Sequence, residues 1–152
     1  MLTQSEFEAM IADTSKRIEG DIAWREDEDH SPAVEFRVEV LSNAGHPLTL
    51  KGSYNPLSGS LSYTLIHRAA GRIYALDMGK DHRNPSGVLV GEKHKHRWKE
   101  KYRDKEAYVP DDITAPLTQP VQVWSQFCAE AKITHRGMLH QPPSASEMDP
   151  FS

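Results

Sequence analysis

Between Lys93 and Lys105 every odd position is basic: Lys93, Lys95, Arg97, Lys99, Lys101, Arg103 and Lys105 alternate with His94, His96, Trp98, Glu100, Tyr102 and Asp104. A period of two belongs to an extended strand, whose successive side chains point to opposite faces. A helix would scatter the same residues around its circumference. The strand reading puts the cations on one face and two imidazoles with an indole on the other. Cations so placed repeat about every 6.6–7 Å, close to the phosphate spacing of an extended nucleic-acid strand, and an aromatic ring offers base stacking. Lys93, Lys95, Arg97 and Lys99, with Arg83 and Trp98, are therefore the candidate nucleic-acid-binding residues. The same alternation also suits a solvated edge strand whose lysines oppose aggregation.

Three of the eight histidines, His82, His94 and His96, fall within fifteen positions, and His67 lies on the preceding strand segment. The spacing His-x-His on a strand turns both imidazoles to one face. That is ligand geometry for zinc or another divalent metal, with His82, Asp77 or Asp81 as further ligands, although Lys93, Lys95 and Arg97 would oppose a second cation. The other chemistry is metal-independent RNA cleavage. One imidazole takes the proton of a ribose 2′-hydroxyl, another donates to the leaving oxygen, and Lys or Arg holds the phosphate. Residue types and local charge favour this second chemistry, so His82, His94 and His96 are the candidate catalytic residues and no cofactor or metal is expected. Histidines bonded only to backbone carbonyls or water are the structural alternative. In the loop Gly79 to Gly87, Asp81 and Asn84 suit turn capping, whereas His82 and Arg83 are displayed. Asp111 or Asp112 is expected to turn back onto the basic strand as an ion-pair partner.

These groups need elements to hold them. Thr3 and Glu6 have capping-box spacing, and Phe7, Met10, Ile11 and Ile18 follow near one helical face, with Gly20 as a stop signal. Val34, Phe36, Val38 and Val40 alternate with Glu35, Arg37 and Glu39, the pattern of a half-exposed antiparallel strand. The segments LTLKGSY, SLSYTLIHR and RIYALDM are separated by the turn sequences NPLSG and AAG and read as a meander. From Pro120, the spacing of Val123, Trp124, Phe127, Cys128 and Ala131 predicts a second amphipathic helix over 120–132. The fold class is thus α+β: an antiparallel sheet of five or six strands packed against an N-terminal and a C-terminal helix. One domain is expected over 1–136, with a disordered tail over 137–152.

Composition narrows the function classes. A chain of 152 residues, 26% charged and 38% hydrophobic, fits one domain, and its apolar runs are far shorter than the roughly 20 residues of a membrane span. The acidic N-terminus lacks the basic start and apolar middle of a signal peptide, which points to a cytoplasmic protein. The single Cys128 rules out an intramolecular disulfide and an all-cysteine metal cage. The net charge of −4 hides an uneven distribution: residues 66–105 hold eleven basic and five acidic side chains, residues 1–30 three and nine. A basic patch acts over about a Debye length, roughly 8–10 Å, whatever the total charge.

The run YALDMGKDHRNPSG, followed by GEKHKHRW and DKEAYVPDDI, resembles an uncharacterised family of small bacterial proteins found among mobile-element genes. Over residues 63–98, the order of strand, Asp, His-containing loop and terminal HKH is similar to toxins of the TumE type. This chain has Glu92 and Lys93 before His94 where the toxin segment reads Pro-His-His-Lys-His. The resemblance implies a site at His82, His94, Lys95 and His96 in an RNA-directed endoribonuclease toxin, with RNA favoured over DNA and an acidic or protein antitoxin as partner. A different class of function stands beside it: a non-enzymatic, anti-CRISPR-like inhibitor that binds a nucleic-acid-handling protein of a bacterial defence system, its acidic ends mimicking nucleic acid. Neither reading involves a membrane.

Overall fold

Alternation along residues 34–40 does what its chemistry requires: Val34, Phe36 and Val40 are buried while Arg37 and Glu39 face solvent. The computed structural model describes residues 2–143. In chain order these form α1 (Gln4–Ala12), β1 (Arg17–Glu19), β2 (Arg25–Glu26), β3 (Val34–Val40), β4 (Leu48–Asn55), β5 (Ser60–His67), β6 (Gly71–Met78), β7 (Lys93–Arg97), β8 (Ala107–Tyr108), α2 (Pro120–Ala131) and β9 (Thr134–Arg136). Strands β2 to β8 make one antiparallel sheet in sequence order, so each turn joins neighbours, and β1 pairs in parallel with β9 beside it. The fold is the expected α+β class, with seven strands in the main sheet where five or six were expected.

One sheet face carries the core. Leu50, Leu61, Tyr63, Leu65, Tyr74 and Leu76 are buried there with Val123, Trp124, Phe127 and Ala131 of α2. Ring centroids of Tyr63 lie 5.1 Å from Trp124 and 5.8 Å from Phe127, distances at which aromatic pairs add about 0.5–1.5 kcal/mol to their burial. A Cβ on Gly52 would stand 2.2 Å from the Phe36 ring, so the bare backbone makes room for that side chain.

Two boundaries differ from expectation. The capping box forms, with the Thr3 side chain accepting from the Glu6 amide and the Glu6 side chain from the Thr3 amide, but α1 ends at Ala12. Buried Lys16 donates its ammonium to the carbonyls of Met10, Ile11 and Asp13, satisfying the orphan acceptors of the helix end. Ile18 is consequently buried from β1 and not from a helix. At the other end Leu139 is buried, the His140 amide donates to the Ile22 carbonyl, and Trp24 Nε1 donates to the His140 carbonyl. Residues 137–140 therefore belong to the fold and not to a tail. Residues 144–152 lie outside the described residues.

Candidate functional site

The site is set by the pairing of β6 with β7. Asp77 stands opposite His94, Ala75 opposite His96 and Leu76 opposite Lys95, and directly opposed residues share a face. His94, His96 and Asp77 accordingly occupy the face away from α2, and Lys93, Lys95 and Arg97 the face towards it. Strand geometry and the shared face of the two imidazoles are as the alternation predicts, but the cations point inward. Lys95 is fully buried, 2.6 Å from Asp112 Oδ2 and 3.0 Å from the Tyr74 hydroxyl, and ion-paired with Glu130 of α2. Burial removes it from the phosphate-contacting set, and Asp112 is the ion-pair partner expected.

The other cations of the motif are also engaged. Lys93 Nζ donates to the Ile113 carbonyl at 2.8 Å, Arg97 pairs with Glu8 at 3.0 Å over the Phe7 ring, and Lys99 pairs with Glu106. Arg83 donates to the Gly87 carbonyl, and Trp98 is buried and unavailable for stacking. The strand ends at Arg97, and its cations are bound into the molecule, while Lys101, Arg103 and Lys105 lie exposed beyond it and do not continue the alternation of a strand.

On the opposite face His82, His94 and His96 converge. Ring centroids lie 5.4 Å apart for His82 and His94, 4.6 Å for His82 and His96, and 5.0 Å for His94 and His96. One ring nitrogen from each lies within 4.8 Å of the others. Each ring also meets a backbone carbonyl: His82 Nε2 at Lys105 (2.7 Å), His94 Nδ1 at Gly91 (2.9 Å) and His96 Nδ1 at Asp104 (2.7 Å). A carbonyl only accepts, so each of these nitrogens carries a proton, with Arg72 Nη2 3.5 Å from His96 Nδ1 a weaker neighbour.

Asp77 Oδ2 lies 3.4 Å from His94 Nε2 and 3.3 Å from His96 Nε2, with Arg72 Nη1 at 3.6 Å. Burial alone would raise the Asp77 pKa, but hydrogen bonds and charge from both imidazoles hold it well below the usual carboxylate range. Burial would likewise depress His94. Its bonds to Asp77 and to the Gly91 carbonyl prevail, and its pKa lies above the ordinary imidazole value.

The loop after β6 delivers the third imidazole. Gly79 has φ +95°, and a Cβ there would stand 2.0 Å from the Gly59 carbonyl oxygen. Asp81 Oδ1 accepts from the amides of His82 (2.7 Å) and Gly91 (2.8 Å), closing the loop on itself. Asn84 is tied to Ala107 in both directions at 2.8–2.9 Å. Asp81 is therefore the turn-capping residue expected, whereas Asn84 ties the loop to the distant Ala107 instead of capping the turn; Arg83 is exposed and His82 half-buried. His67 lies outside the cluster, its Nδ1 accepting from the amides of Ala69 and Ala70. Sequence reasoning missed Arg72 and the three carbonyls. Backbone acceptors leave no residue signature, and Arg72 reaches the site only because a bulge between Leu65 and Ile66 shifts the β5–β6 register.

Asp77 also lines a cavity of about 80 Å³ with Ser53, Ser60, Leu61, Ser62, Met78 and Lys80, on the sheet face that carries Thr49, Lys51 and Thr64. Convergent imidazoles and a carboxylate at the edge of a polar cavity can bind a cation, move protons or stabilise developing negative charge.

No helix among the described residues is long and apolar enough to cross a membrane. No curated protein and no solved structure matches the chain. Residues 2–133 match the family of unknown function DUF6978, and the chain belongs to that family.

Proposed function

We propose that the protein cleaves RNA at the His82–His94–His96–Asp77 cluster, as a cytoplasmic, toxin-type endoribonuclease of a bacterial mobile-element or defence locus. The observation that carries this reading is the convergence of three imidazoles, each bonded to a backbone carbonyl, two of them on a carboxylate that lines a small cavity. Such fixing is what a working site needs, because reacting groups must be held near their productive geometry before substrate arrives. The resemblance of the Asp, loop and HKH order to toxin segments supplies the substrate class.

Phosphate contacts belong on the same face as the cluster. Arg37 and Lys80 are exposed there, Lys80 lining the cavity, and Lys51 pairs with Glu35 at 3.6 Å, so Arg37 and Lys80 take the binding role in place of Lys93, Lys95, Arg97 and Lys99. The hydroxyls of Ser53, Ser62 and Thr64 lie between them, a surface suited to a polar, extended chain. An inhibitor acting by acidic mimicry would have no use for the histidine cluster, which favours the enzymatic reading. Single-stranded RNA and DNA of one sequence, incubated with the purified protein, test it. Cleavage of RNA with DNA left whole is expected; RNA left intact by the folded protein, with and without added Zn²⁺, would sink the proposal.

A further inference from the structure

The cluster poses an electrostatic problem. With one nitrogen of each ring donating to a carbonyl, the second nitrogen of a neutral ring offers a lone pair, and two of these lone pairs, on His94 and His96 Nε2, face the same carboxylate oxygen. Acceptors opposed in this way repel. Protons on both His94 and His96 would bridge both contacts to Asp77, but would set two positive charges about 5 Å apart in a buried cluster and leave the His82 lone pair unused. Protonating all three rings would confine three positive charges within about 5 Å, at a cost of several kcal/mol even at an effective dielectric constant near 20. A single multivalent cation among the rings satisfies every lone pair at once.

We propose that His82, His94 and His96 bind one divalent transition-metal ion, with Asp77 beside them at the edge of the site. The donors identify its class. Imidazole nitrogens suit zinc and its neighbours, whereas magnesium and calcium take oxygen ligands. The carbonyls of Lys105, Gly91 and Asp104 complete the arrangement, since a metal-bound imidazole almost always donates its other N–H to a carboxylate, a carbonyl or water. With bonds of about 2.0–2.1 Å, nitrogens on one tetrahedral zinc lie about 3.3–3.4 Å apart. The nitrogens therefore close by up to about 1.4 Å from their present separations. Three histidines leave one tetrahedral position open, and an ion held there can polarise a phosphoryl oxygen. This replaces the metal-free chemistry expected from the sequence. It rests on the cluster's geometry alone and so stands or falls apart from the identity of the substrate.

The test uses the full chain, stripped with a chelator and titrated with Zn²⁺ against a chromophoric competitor. One Zn²⁺ per chain is expected, with a rise in melting temperature on binding and no displacement by a large excess of Mg²⁺. His82→Ala lies on the loop and leaves the strands intact; it is expected to weaken Zn²⁺ binding at least about 100-fold while circular dichroism is unchanged. His94→Gln is a second variant, and should it fail to fold, His82→Ala decides. Folded wild-type protein that takes up no stoichiometric Zn²⁺, or a His82→Ala variant that binds as tightly as wild type, overturns the proposal. RNA cleavage is scored separately. Cleavage with no metal bound overturns the metal site and leaves the RNA reading, whereas Zn²⁺ bound without RNA cleavage supports the site and overturns the RNA reading.

Discussion

Lys95 and His96 are neighbours on one strand and have opposite surroundings. Lys95 lies under α2, where Glu130, Asp112 and Tyr74 satisfy its three N–H donors. Burial would raise Glu130, but hydrogen bonds from Lys95 and Tyr74 and the charge of Lys95 hold it at about 2. Replacing Lys95 with Met leaves two carboxylates facing each other without a cation, and urea unfolding is expected to show a loss of about 3 kcal/mol. Lys99→Ala removes a half-exposed lysine from the buried Glu106 Oε2 and is expected to cost no more than about 1 kcal/mol by the same measurement. Equal losses would contradict the inward placement of Lys95. The alternation of this strand was legible because a period of two is a property of the backbone. Which face is buried was not, because that depends on Glu130, thirty-five residues further along the chain.

At the scale of elements, local signals were readable where they were self-contained. The capping box of α1, the meander β4–β5–β6 and the proline-led α2 each form from neighbouring residues. The end of α1 was misjudged because Ile18 continues the helical period, while the actual stop is made by Lys16 and by pairing of β1 with β9 from the far end of the chain. The loop Gly79 to Gly91 depends in a similar way on a distant contact, since Gly79 packs against Gly59. Gly79→Ala combines a positive φ with a backbone clash. It is expected to lose about 2–3 kcal/mol in thermal or urea unfolding and to loosen His82. Gly87 has φ +92° but open space around it, so Gly87→Ala should cost only about 1 kcal/mol. Similar losses at the two positions would show that Gly79 does not anchor the loop.

Over the whole molecule, the sheet separates two tasks. Its inner face holds the core and the lysine-centred ion cluster, and its outer face holds the histidines, the hydroxyls and the remaining cations. The chain beyond Arg136 serves the first task, because Leu139 is buried and His140 is bonded to Ile22 and Trp24. Truncation after Arg136 should therefore cost about 2–4 kcal/mol, read as a lower urea midpoint; an unchanged midpoint would return the domain boundary to 136.

The division between faces also decides where chemistry occurs, and one comparison of RNA-cleavage rates tests that most directly. His82→Ala, on the outer face, is expected to slow cleavage by at least about 100-fold, and Lys99→Ala to leave it within about twofold of wild type. The opposite outcome, a cleavage rate that survives the loss of His82 and collapses with Lys99, would place the working surface on the alternating basic segment and contradict the account.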